Sequence, residues 1–100
     1  MCTGKDCRRE SGFGAMLALA RETPGACEVS CQSLCNGPVV GCRADGELRW
    51  FTKVRTPKRR RAVSQMLQTS RVPDRLRKRE SRKRRGELRG SRRLRPLSAP

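Results

Sequence analysis

The chain has 100 residues, which limits it to one small domain. It carries 25 basic and 9 acidic residues, for a formal net charge of +16, and it contains six cysteines but no histidine. The lack of histidine excludes metal sites that need imidazole ligands and removes the most common general base of enzymes.

The positive charge lies almost entirely in the second half of the chain. Residues 1–51 contain six basic and six acidic residues and are neutral, whereas residues 52–100 contain nineteen basic and three acidic residues. This asymmetry points to an anionic partner for the second half, which could be nucleic acid, a membrane surface or an acidic protein.

The first 25 residues predict a loop followed by a helix. Residues 1–10 form an irregular loop around Cys2 and Cys7 in this prediction. Ser11 can cap the helix, and Thr23-Pro24-Gly25 ends it. Apolar residues recur at helical spacing between these two signals. They are Phe13, Met16, Leu17 and Ala20.

The same stretch offers a secretory signal as an alternative, since an apolar run follows basic residues. Two glycines interrupt that run, however, and Asp6 and Glu10 precede it, which favours the helix of a folded domain. No apolar run is long enough to span a bilayer. We therefore expect a cytoplasmic protein with no membrane segment, in which thiols stay reduced and clustered cysteines bind metal.

The middle of the chain predicts strands around a cysteine-bearing loop. Ala26–Ser30 is compatible with a short strand, and the loop Cys31–Pro38 follows it. Val39–Arg43 predicts a second strand, and Asp45-Gly46 is a typical hairpin turn. Leu48–Thr52 is the expected return strand.

A second helix should begin at Thr56-Pro57, because proline is favoured at the first helical position. Its predicted apolar stripe consists of Ala62, Val63, Met66 and Leu67. Together these elements predict an α/β fold with two helices flanking a small mixed sheet.

The Arg-rich segment 70–100 has too few apolar residues to fold alone, so we expect a disordered or partly helical basic tail. The predicted organisation is therefore a folded domain at 1–69 and a tail at 70–100.

The cysteine spacing is the strongest chemical signal. Cys2 and Cys7 form a C-x4-C pair, and Cys31 and Cys35 form a C-x3-C pair. Four thiolates on two loops match the ligand count of an iron–sulfur cluster or a zinc ion, and the wide loops favour the larger cluster. A zinc site and disulfide bonds remain alternatives, as does a helix that places Cys27, Cys31 and Cys35 on one face.

The remaining cysteines and the aromatic residues have simpler interpretations. Cys27 and Cys42 lie on predicted strands, where small buried apolar residues are expected. Trp50 and Phe51 could stack on nucleic-acid bases, but on a return strand they are more typical of a core or a dimer contact.

Three segments of the chain resemble the thioredoxin-like [2Fe-2S] ferredoxins and the related [2Fe-2S] small subunit of respiratory NADH dehydrogenase. They are Cys2–Arg9 (CTGKDCRR), Cys31–Gly41 (CQSLCNGPVVG) and Asp45–Phe51 (DGELRWF). The resemblance covers roughly residues 1–68. It implies a thioredoxin-like fold and a [2Fe-2S] cluster on Cys2, Cys7, Cys31 and Cys35. It also implies one-electron transfer and, commonly, a homodimer.

The chain departs from this family in two ways. Family members have a strand that leads into the first cysteine, so we expect this sequence to lack that first strand through N-terminal truncation. The basic tail is the other departure, since the ferredoxin core does not require it.

These observations predict a [2Fe-2S] electron carrier, with Gly4 and Gly37 near the cluster sulfurs. No pattern of an enzyme is present, and the positive charge calls for a redox partner with an acidic docking face. The alternative is a nucleic-acid- or partner-binding protein, in which the cysteines form a structural or redox-sensing module. Residues 70–100 would then bind nucleic acid without sequence preference.

Overall fold

The computed structural model describes residues 1–29, 37–85 and 95–97. Cys31 and Cys35 therefore lie outside the described residues. The helices are α1 (Lys5–Arg8), α2 (Phe13–Glu22), α3 (Pro57–Thr69) and α4 (Asp74–Arg77). The strands are β1 (Cys27–Glu28), β2 (Val40–Ala44), β3 (Glu47–Phe51), β4 (Glu80–Arg85) and β5 (Arg95–Pro96).

The predicted hairpin is present as β2 and β3, which pair antiparallel from Val40 opposite Phe51 to Ala44 opposite Glu47. Its turn uses positive φ at both central residues, 51° at Asp45 and 80° at Gly46. These angles match the right-handed twist of the two strands, which explains why Asp-Gly forms this turn.

The third strand of this sheet is a correction, because the sequence predicted no strand after residue 52. Strand β4 pairs antiparallel with β3, and Glu80 lies opposite Phe51. The largely buried Arg49 guanidinium lies 3.1 Å from a Glu80 carboxylate oxygen across these strands. The sequence did not predict β4 because its residues are almost all charged and show no hydrophobic alternation.

The segment after residue 70 also contributes to the core, although it was predicted to be a disordered or partly helical tail. Val72 and Leu76 are buried in the main apolar cluster. Thr52 N–H donates to the Arg79 carbonyl at 2.8 Å, which ties the same segment to the end of β3. A division of the chain at residues 69 and 70 as separate domains remains a prediction, and it would cut through this packed region.

The start of the chain lies between two other segments. Cys2 forms a parallel bridge with Val29. On its other side, Cys2 N–H donates to the Val39 carbonyl at 3.0 Å. The strand pairs β1–β5, β2–β3 and β3–β4 are all antiparallel, which corrects the predicted mixed sheet, and the parallel bridge at Cys2 lies outside these strands. Helices and strands are both present. The α/β class is therefore confirmed, whereas the thioredoxin-like arrangement remains a prediction.

The two predicted helices are present with corrected ends and faces. Helix α2 begins after Gly12 rather than at a Ser11 cap. Helix α3 begins as predicted, because the Thr56 hydroxyl accepts from Arg59 N–H at 3.2 Å. The buried apolar stripe of α3 is narrower than predicted, because Leu67 is 43% exposed.

The predicted loop at residues 1–10 contains the short helix α1, which places Cys7 in its last turn. None of the helices in the described part of the chain has the length and apolarity needed to cross a membrane.

Candidate metal centre

Cys2 and Cys7 belong to one buried apolar cluster, separate from the main core. Cys2 is 1% exposed and Cys7 is 4% exposed. We call this group the Cys2–Cys7 cluster; its other members are Val29, Val39 and Trp50. The structure thus brings one predicted ligand pair into the same apolar environment.

Backbone hydrogen bonds position Cys2. The bridge to Val29 and the bond to the Val39 carbonyl hold its main chain on both sides. The sulfur accepts a hydrogen bond from Gly4 N–H at 3.4 Å. Gly4 therefore lies near the Cys2 sulfur, and its place near a cluster remains a prediction.

Gly37 lies directly against Cys7. A Cβ atom at Gly37 would lie 3.1 Å from the Cys7 sulfur and 3.2 Å from its Cα. Only a residue without a side chain fits at this distance without displacing its neighbour. Gly37 is also the first described residue after the segment that carries Cys31 and Cys35.

Arg55 connects the two cysteine-bearing regions, and sequence reasoning missed it. Its Nε donates to the Gly37 carbonyl at 3.1 Å. Its Nη2 lies 3.0 Å from the Glu10 carboxylate. Glu10 N–H in turn donates to the Cys7 carbonyl at 3.1 Å. The sequence could not single out Arg55 for this role, because many other basic residues surround it.

Trp50 forms one wall of the Cys2–Cys7 cluster, and the prediction that it lies in the core is confirmed. It pairs across the hairpin with Gly41. A Cβ atom at Gly41 would lie 2.7 Å from the indole ring, so the ring lies flat over the neighbouring strand. Phe51, on the opposite face of β3, is fully buried in the main core.

The other described cysteines lie away from this cluster. Cys42 is buried in the main core, and burial raises the pKa of its thiol to about 11. Cys27 is partly exposed, with its sulfur 3.6 Å from the Gly25 carbonyl. A neutral thiol in an apolar core fits the predicted role of Cys42 as a small apolar residue.

Cys31 and Cys35 complete the predicted ligand set but lie outside the described residues. Within residues 1–29, 37–85 and 95–97, no three cysteine or acidic side chains converge as metal ligands would. The segment that carries both cysteines leaves Val29, which is bridged to Cys2, and reaches Gly37, which contacts Cys7.

Comparison of the chain with protein-family models, curated proteins and solved structures gave no significant match. The resemblance to ferredoxins therefore depends on the cysteine spacing and the flanking motifs.

Proposed function

We propose that the protein is a small one-electron carrier that binds a [2Fe-2S] cluster through Cys2, Cys7, Cys31 and Cys35. One observation carries this proposal. Cys2 and Cys7 share a buried cluster at the place where the segment with the other two cysteines begins and ends.

Chain length supports this ligand set. Cys31 is two residues from Val29, and Cys35 is two residues from Gly37. Because two residues span at most about 7 Å, both thiols are within reach of the Cys2–Cys7 cluster. Cys27 is also two residues from Val29, but its sulfur lies 3.6 Å from the Gly25 carbonyl, and Cys42 lies in the main core, so we assign neither a ligand role.

The surrounding residues suit a cluster with anionic sulfurs. Gly4 N–H donates to the Cys2 sulfur, and Gly37 leaves room beside Cys7. Burial next to Val29, Val39 and Trp50 excludes water from these sulfurs. When bound, such a cluster accepts and releases one electron, and its potential depends on sulfur hydrogen bonds and burial.

The basic second half suits a redox partner with an acidic docking face, in a reducing compartment such as the cytoplasm. Homodimer formation remains a prediction from the resemblance to ferredoxins.

The test is purification without oxygen, followed by an absorption spectrum and assays of iron, zinc and acid-labile sulfide. We expect visible sulfur-to-iron charge-transfer bands, with two irons and two sulfides per chain. Cys7→Ser should lose the bands and most of the iron. Cys27→Ser is the matched control and should keep both, because Cys27 lies outside the Cys2–Cys7 cluster.

Two results would contradict the proposal. One zinc per chain without sulfide would identify a structural zinc site, which was the sequence-based alternative. A folded protein that binds neither metal would leave Cys2 and Cys7 as buried thiols.

A further inference from the structure

An open groove of about 770 Å³ runs between helix α3 and the segment that follows it. We call it the α3 groove. Its base is formed by buried Ala62 and Val72, so its depth comes from the way α3 packs on the segment after Ser70. The remaining lining residues are Lys58, Arg61, Gln65, Thr69, Arg71, Pro73, Asp74 and Arg75.

Positive charge lies on both sides of the α3 groove. On one side, Lys58 and Arg61 are three residues apart and share a face of α3. On the other side, Arg71 and Arg75 come from the segment that ends α3 and begins α4. All four side chains belong to exposed residues.

Basic residues outnumber acidic ones in the groove, in the part of the chain that the structure describes. None of the four forms an ion pair there. Asp74 is the one acidic residue that lines the groove, and its carboxylate lies 3.0 Å from Arg77, outside the lining. The groove lining therefore contains four basic residues and one acidic residue, for a net charge of +3.

The cationic surface continues beyond the groove. Partial burial and the positive charges of Arg79, Arg55 and Arg75 lower the pKa of Arg59. Each of these three charges is thus close enough to repel the Arg59 guanidinium. Folding keeps like charges together at this surface, at a cost that a bound polyanion would offset.

The chemistry of the groove selects a phosphate backbone rather than bases. Base recognition in single strands needs exposed aromatic side chains for stacking. Phe13 is partly buried, and Trp50 and Phe51 are fully inside the protein. A duplex presents one negative charge per about 1.7 Å of its axis, and its bases are already stacked.

We propose that the α3 groove binds the phosphate backbone of double-stranded nucleic acid without sequence preference, through Lys58, Arg61, Arg71 and Arg75. Binding neutralises the positive side chains on both sides of the groove and releases counterions from the duplex. This interaction surface is separate from the Cys2–Cys7 cluster, so it would persist whether or not the protein carries electrons.

The experiment measures binding of the full chain to a labelled 20-base-pair DNA duplex between 50 and 200 mM NaCl. The test variant is Arg61→Gln/Arg75→Gln. The matched control, Arg21→Gln/Arg43→Gln, removes the same charge from exposed positions outside the α3 groove. A thermal unfolding curve for each variant shows that it is folded.

We expect the test variant to bind more weakly than the control at every salt concentration. Its slope of log affinity against log salt should be shallower by about 1.8, at about 0.9 for each lost phosphate contact. Between 50 and 200 mM NaCl, the affinity of the test variant should therefore fall about tenfold less than the affinity of the control. Two duplexes of unrelated sequence should bind equally, and single strands of the same length should bind more weakly.

Equal slopes for the test and control variants would overturn the proposal, because the remaining basic residues would then supply the binding. A preference for one duplex sequence, or for the single strand, would contradict recognition of the duplex backbone. Binding to phosphatidylserine vesicles without binding to DNA would assign the surface to membranes instead.

Discussion

The Cys2–Cys7 cluster and the α3 groove contrast in how the chain places its reactive and charged groups. At the cluster, thiols are buried among apolar side chains, and one sulfur accepts a backbone hydrogen bond. At the groove, the four basic side chains are exposed and form no salt bridge with any other residue that the structure describes. Thiols behave as small apolar groups and tolerate burial, whereas an arginine charge is costly to remove from water.

Basic residues become more frequent along the chain, yet buried core residues occur in both halves. Basic residues can surround apolar positions such as Val72 and Leu76 without entering the core. Net charge therefore indicates which surfaces attract anions, but it does not mark the limit of the folded region.

The largest expected effect tests whether the basic segment belongs to the core. Leu76→Ala removes a fully buried side chain and should lower the free energy of unfolding by about 2–5 kcal/mol. Leu67→Ala, at a position that is 43% exposed, should change it by about 0.5 kcal/mol. Urea denaturation measures both. Equal effects would mean that the segment after residue 70 does not contribute to stability.

The second prediction tests how burial affects a thiol outside the cluster. The Cys42 pKa is raised from 9.0 to about 11, so the folded state keeps its proton where the unfolded state loses it. Unfolding free energy should therefore fall as pH rises from 9 to 11, by roughly 2–3 kcal/mol in total. Cys42→Ala should flatten this decline, and an unchanged slope in the variant would contradict the assignment.

The third prediction tests the close approach at the cysteine site. Gly37→Ala places a Cβ 3.1 Å from the Cys7 sulfur and should destabilise the fold by about 1–3 kcal/mol. Gly14→Ala is the matched control, since a Cβ there meets open space in α2. It should stabilise the protein by up to about 1 kcal/mol. A neutral Gly37→Ala variant would show that Cys7 can move away at little cost.

The smallest expected effect concerns the arginine that connects the cysteine-bearing regions. Arg55→Met loses the bonds to Gly37 and Glu10, and should destabilise by about 1 kcal/mol because the ion pair is partly exposed. Arg77→Met breaks an exposed pair with Asp74 and should have almost no effect. Identical chemical denaturation curves for both variants would contradict the connecting role of Arg55.

Local signals accounted for several elements. The Asp45-Gly46 turn, the capping of α3 by Thr56 and the burial of Trp50 follow from short-range rules, and the structure agrees with them. Strand β4 was missed because its residues are almost all charged. Its pairing depends on the edge of β3 and on Arg49, which are distant in the sequence.

By itself, the sequence determined the cysteine spacing, the charge asymmetry and the α/β class, because each is a property of composition or of neighbouring residues. Only the tertiary structure placed Cys2 beside Val29, brought Gly37 against Cys7 and assembled the walls of the α3 groove. The physical reason is that the first two contacts join residues far apart in the chain, and the groove depends on how the segment after Ser70 packs against α3. They form only when burial of the shared core offsets the entropy of closing the loops between them.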